Sequence, residues 1–147
     1  KKLYKTFVDT DTEIEFQEKM SIPEIIKKHN CCAIDNNEQY VVRNVSKMEN
    51  IVIGTGGGVI IDKENEKTLK RNTTIVFLEF DLNTLEKRLS VRNNNRPALT
   101  KNSSLHEELQ EVWEKRKDRY IKSADIIYNV SRDIKVDRKA EDIIMKI

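Results

Sequence analysis

Short runs of β-branched and aromatic residues alternate along the chain with stretches of helical spacing. Residues 4–8 are apolar and aromatic and end in Asp9-Thr10-Asp11, which predicts a first strand. Two helical pieces follow. The second opens with Ser21-Ile22-Pro23-Glu24, a capping box with proline near the helix start, and Ile22, Ile25 and Ile26 form its apolar stripe. Asp35-Asn36-Asn37-Glu38 repeats the capping signature and predicts another helix start, with Val41, Val42, Val45 and Met48 at helical spacing behind it. Residues 51–53 form a short apolar strand that runs into glycines, and residues 62–69 a weaker helix. The clearest strand is Ile75-Val76-Phe77-Leu78, apolar on both faces as a buried parallel strand would be. Asp81 caps a helix with Leu82, Leu85 and Leu89 facing inward. Residues 92–104, including Asn93-Asn94-Asn95, read as a mobile polar loop. Ser104 begins the longest helix, with Leu105, Leu109, Val112, Arg116 and Tyr120 on one stripe. Residues 126–130 form a last strand and residues 136–147 a last amphipathic helix.

Strand alternating with helix implies an α/β fold, a parallel sheet flanked by helices, and such sheets bind ligands beyond the carboxyl ends of their strands. With 147 residues the chain fits a single domain, residues 1–147. Its net charge of +2 offers no field for nucleic acid or a membrane surface. The longest apolar run falls far short of the roughly 20 residues a membrane span needs. No apolar stretch follows the opening lysines, so the first residues do not read as a signal peptide. The two cysteines, Cys31 and Cys32, are adjacent and lack zinc-site spacing; they read as reduced thiols of a cytoplasmic protein.

All four glycines fall between positions 54 and 58, and only two prolines occur, Pro23 and Pro97. No glycine remains to build a phosphate-cradling Gly-x-x-x-x-Gly-Lys-Ser/Thr loop within these residues. The cluster Gly56, Gly57 and Gly58 permits positive φ and close approach of a ligand to backbone N–H groups, or else forms an irregular turn. Asp9 and Asp11, sent the same way by strand alternation, suit a magnesium shell or a hydroxyl acceptor, or else cap a helix. Arg116 stands where its stripe calls for an apolar residue, and needs either a structural carboxylate or an anionic ligand. Arg92 and Arg96-Pro97 flank the asparagine tract, as in a lid that closes over phosphate or a solvated loop. His29 and His106 read as surface residues.

Taken in order, Phe7-Val8-Asp9-Thr10-Asp11, Met20-Ser21-Ile22, Thr55-Gly56-Gly57-Gly58, Arg92, Arg96-Pro97, Arg116 to Tyr120 and Ala124-Asp125 resemble the shikimate kinases, small P-loop enzymes of the nucleoside-monophosphate-kinase type. The resemblance covers nearly the whole chain. It implies transfer of the ATP γ-phosphoryl group to the 3-hydroxyl of shikimate, with ATP and Mg²⁺ as cofactors, in aromatic amino acid biosynthesis. Asp9 would organise Mg²⁺, and Asp11 would hold the acceptor hydroxyls and assist deprotonation. Gly56, Gly57 and Gly58 would line the acceptor site, and Arg116 would pair with its carboxylate. Arg96 would reach the transferring phosphate from the lid at about 92–104, and Arg92 would pack near adenine. Such a protein would be a monomer or a domain of a larger enzyme.

Two departures from the family pattern stand out. The family's Walker A loop and the central first strand are not among these residues, so the fold is expected to be N-terminally incomplete. In the family's strand order, 2-3-1-4-5, that strand separates the Phe7 and Ile51 strands from the Ile75 and Ile126 strands. Asp35 falls where the family's Phe-Arg-x-x-Glu arginine grips the acceptor carboxylate, and loss of such a contact costs roughly 2–4 kcal/mol. A non-catalytic binding domain, or a kinase for another acceptor, are the alternatives this opens.

Overall fold

The computed structural model describes residues 3–29, 31–91, 104–130 and 135–147. Two parallel strand pairs organise it. In the first, β1 (Thr6–Asp9) lies beside β2 (Ile51–Gly54), in register from Thr6 opposite Ile51 to Asp9 opposite Gly54. Tyr4, expected in the strand, has φ 53° and is 98% exposed. The partner strand begins at Ile51, and the last anchoring bond runs from Thr6 N to Asn50 O at 3.2 Å, so nothing holds Tyr4 in extended form.

Helix α1 (Thr10–Glu18) leaves β1 directly, and α2 (Ile22–His29) follows. The Glu24 carboxylate accepts both the N–H and the hydroxyl of Ser21 at 2.8 and 2.7 Å, which closes the capping box. Helix α3 spans Cys31–Val45, so the Asp35-to-Glu38 signature lies inside a helix and does not start one. Cys31-Cys32-Ala33-Ile34 contains no breaker, and the helix extends back through it. Of its predicted face, Val41, Val42 and Val45 are at most 4% exposed, whereas Met48 lies beyond the end of the helix and is 51% exposed. Val41 and Val45 join Val8, Ile14 and Ile25 in one cluster, and Val42 joins Val59 and Leu69 in another. Ile53 touches both. After a 3-10 turn at Val59–Ile61, Asp62 caps α4 (Lys63–Asn72).

In the second pair, β3 (Val76–Glu79) runs parallel to β4 (Ile126–Asn129). Between them come α5 (Leu82–Val91), whose Thr84 N–H is taken by Asp81 at 2.8 Å, and α6 (Leu105–Ser123), capped by Ser104. Phe77 stacks on Trp113 and Tyr120 of α6, with centroids 6.3 and 5.3 Å apart. Helix α7 (Val136–Ile144) is tied to β4 by Tyr128 Oη donating to Asp142 at 2.9 Å. The expected full burial of this clearest strand is not met. Leu78 is 48% exposed, and Ile127, which pairs with Phe77, is 45% exposed. A sheet of two strands leaves each strand one open edge, whereas parallel strands are ordinarily covered on all sides.

The chain divides into two compact units, Lys1–Ile75 and Val76–Ile147, each with its own two-stranded parallel sheet. Among the described residues the β1–β2 and β3–β4 pairs share no strand. No helix among the described residues is long and apolar enough to cross a membrane.

Ile14 is fully buried on α1, whereas Phe16 on the same helix is 79% exposed. Replacing Ile14 with Ala is expected to cost about 2–4 kcal/mol, and replacing Phe16 with Ala less than about 0.5 kcal/mol. Urea-unfolding midpoints of the two variants check this ordering.

Candidate functional site

Asp9 ends β1 in extended conformation (φ −103°, ψ 124°) and caps α1. Its Oδ1 accepts Asp11 N and Thr12 N, both at 3.1 Å, and the Thr12 hydroxyl at 3.3 Å. The chain therefore turns helical one residue after Asp9, and the expected strand alternation does not reach Asp11. The cap turn brings the two carboxylates together instead. Oδ1 is committed to the backbone, while Oδ2 points along the strand end, 3.5 Å from where a Cβ on Gly54 would stand.

Asp11 lies in the first turn of α1 with its carboxylate against Gly56. A Cβ at Gly56 would meet Asp11 Oδ1 at 3.2 Å and Oδ2 at 3.5 Å. Partial burial, then the nearby Asp9 carboxylate, then Glu15 raise the Asp11 carboxyl above its ordinary value of 3.8. Glu15 is itself anchored, accepting Ile22 N at 2.8 Å.

The glycines do their work through space. None has positive φ, so the conformational freedom that the cluster permits is not used. Gly58 is helical (φ −84°, ψ −33°) and leads into the 3-10 turn, with Ile61 N bonded to Gly58 O at 2.9 Å. What glycine supplies at position 56 is room for the Asp11 carboxylate. At the far end, Glu38 Oε1 lies 3.9 Å from the Cβ position of Gly58. The first unit thus carries, at the carboxyl ends of β1 and β2, an open backbone floor with a carboxylate at each end. Carboxylate oxygens so placed accept hydrogen bonds from ligand hydroxyls.

The structure brings Asp9, Asp11 and the glycine turn together in the first unit. Arg116 is half-buried on α6, in the second unit. Arg92, Arg96 and the lid loop apart from Ser104 lie outside the described residues, as does the Asp35 side chain on α3. Glu38 entered the sequence reading as a capping residue and as the glutamate of the family's Phe-Arg-x-x-Glu pattern, and nothing in its spacing pointed to Gly58. His106, read as a surface residue, pairs with Glu86 of α5 at 2.9 Å. No group of three metal-ligating side chains occurs among the described residues. Asp9 Oδ2 fits a magnesium shell that takes one protein carboxylate and fills its other positions with water and phosphate.

A family model described as shikimate kinase matches residues 1–147. The chain belongs to the shikimate kinase family. The shikimate kinase of Caldicellulosiruptor saccharolyticus is 40% identical over 104 residues, which cover 71% of this chain and 60% of that protein. That of Nitrosomonas europaea is 32% identical over 87% of this chain and 60% of its own length. The chain thus spans about 60% of these two relatives. The crystal structure of the Aquifex aeolicus shikimate kinase superposes with a TM-score of 0.79 at 28% identity, covering 98% of this chain and 82% of that one.

The raised Asp11 carboxyl has a consequence for stability. A group with its folded value above the unfolded one favours the fold while protonated, and that contribution is lost as pH rises through the folded value. At neutral pH the charged carboxylate is therefore a burden. Asp11→Asn is expected to raise the melting temperature at pH 7 by roughly 1–3 °C, with the gain disappearing below about pH 3.8, where both states are protonated. Thermal melts of both proteins across pH 3–8 test it.

Proposed function

We propose that the protein is a shikimate-kinase-type phosphotransferase, which passes the γ-phosphoryl group of ATP to the 3-hydroxyl of shikimate with Mg²⁺. The observation that carries the reading is the Asp11 carboxylate set over the bare backbone of Gly56 at the ends of two parallel strands, in a chain of this family. The shikimate kinase of Acinetobacter baumannii, similar in fold with a TM-score of 0.87 at 24% identity, was solved in complex with shikimate.

When bound, ATP supplies the phosphoryl group and Mg²⁺ neutralises charge on its oxygens. Asp11 orients the acceptor hydroxyl and draws its proton as the oxygen attacks, a task suited by its raised proton affinity. Gly56, Gly57 and Gly58 let the acceptor ring settle on the backbone. The family resemblance would assign Arg116 to the acceptor carboxylate, Arg96 to the charge on the transferring group and Arg92 to adenine. Asp9 would hold the metal through Oδ2, while Oδ1 stays on the helix. The chain acts on a small molecule in the cytoplasm, as a monomer or as a domain of a larger enzyme.

A second reading, a kinase for an acceptor without a carboxylate, is favoured by Asp35 standing where the family pattern has arginine. Turnover measured with Mg²⁺-ATP against shikimate and a panel of neutral polyols separates the two. Binding of ATP without turnover of any acceptor would sink both.

Asp9→Asn keeps an oxygen for the cap. It is expected to change stability by only a few tenths of a kcal/mol, while Asp9→Ala costs about 1 kcal/mol. Both are expected to raise the Mg²⁺ concentration for half-maximal turnover by about tenfold or more, since both remove the charge. Gly56→Ala pushes a methyl against Asp11 and is expected to raise the acceptor KM by roughly tenfold with the nucleotide KM unchanged. Steady-state kinetics with each component varied, beside calorimetric melts, check these expectations.

A further inference from the structure

The glycine turn is fastened at its downstream end. Asp62 caps α4 through Oδ1, which accepts Glu64 N at 2.8 Å and Asn65 N at 2.9 Å. Its other oxygen, Oδ2, accepts Nε2 of Gln39 on α3 at 3.1 Å. Gln39 follows Glu38, the carboxylate beside Gly58. Only the 3-10 turn Val59–Ile61 separates Gly58 from Asp62. Within that turn Val59 is fully buried in a cluster with Val42 of α3.

Two of the contacts that hold the turn to α3 differ in kind. Apolar packing of Val59 with Val42 sets how deep the turn sits, but such packing is non-directional and tolerates sliding. The Gln39–Asp62 bond is directional, has a charged acceptor, and fixes where along α3 the turn is held. We propose that Gln39 and Asp62 are positioning residues of the acceptor site, holding the glycine turn against α3 so that Gly56 stays under Asp11 and Gly58 beside Glu38. The proposal rests on the functional reading above, and neither residue touches the ligand in it.

The two partners can be exchanged, which gives the test. Gln39→Glu sets two carboxylates against each other and removes the bond. Adding Asp62→Asn restores it with the roles reversed, the amide at position 62 donating to the carboxylate at position 39, while an oxygen remains for the α4 cap. In the full chain, Gln39→Glu is expected to speed amide exchange across residues 56–61 by about tenfold and to raise the acceptor KM by about 5–20-fold. The nucleotide KM should stay within about twofold, and the double variant should return both readouts to within about threefold of the parent. Gln39→Ala, which loses the bond without repulsion, should fall between. Unchanged exchange in Gln39→Glu overturns the proposal, as does failure of the double variant to restore it. Altered exchange with an unaltered acceptor KM also overturns it, by reducing the bond to a structural tie. A parent chain that turns over no acceptor would instead defeat the functional reading, and the exchange measurement would still decide whether the bond holds the turn.

Discussion

A strand that becomes a helix within one residue leaves the first helical N–H groups without backbone partners, and one carboxylate oxygen of Asp9 takes up that deficit. The position of Asp11 follows from this junction, because the cap turn swings its carboxylate over Gly56. So does the freedom of the second Asp9 oxygen. The junction has a cost, since the Thr10 hydroxyl between the two aspartates is fully buried without a hydrogen-bond partner among the described residues. Capping and ligand chemistry are ordinarily weighed as rival explanations of an aspartate at a strand end. At Asp9 they use different oxygens of one group.

The architecture was legible wherever local chemistry decides it. Helix caps at Asp81 and Ser104, and the buried face Val41-Val42-Val45, sit where periodicity and capping residues put them. Errors arose where a local signal competed with the length of an element. Asp35-Asn36-Asn37-Glu38 has the residues of a helix start, but helix formation is cooperative and nothing before it breaks the run from Cys31. Tyr4 carries strand propensity, yet a strand reaches only as far as its partner. Burial of the Val76 strand was overestimated because an apolar run reports what a strand can bury, and neighbours determine what it does bury.

The site was less readable than the fold. Residue types and order marked Asp9, Asp11 and the glycines, but not why glycine is needed. The sequence permitted positive φ; the structure uses the missing side chain instead. Gln39 and the approach of Glu38 to Gly58 escaped notice because the partners, Asp62 and Gly58, lie some twenty residues away and meet them only when α3 packs on the 3-10 turn. Contacts of that kind have no periodicity to betray them.

The two separate strand pairs also bear on how the chain reaches its fold. Thr6 pairs with Ile51 and Val76 with Ile126, so each pair closes a loop of about 45–50 residues before its first ladder bond forms. Parallel pairing at such separation is slow to nucleate, and the helices in between must shorten the gap first. Order in β1 and β2 therefore trails the packing of α1 and α3, and the crevice at their carboxyl ends is among the last features of the first unit to take shape.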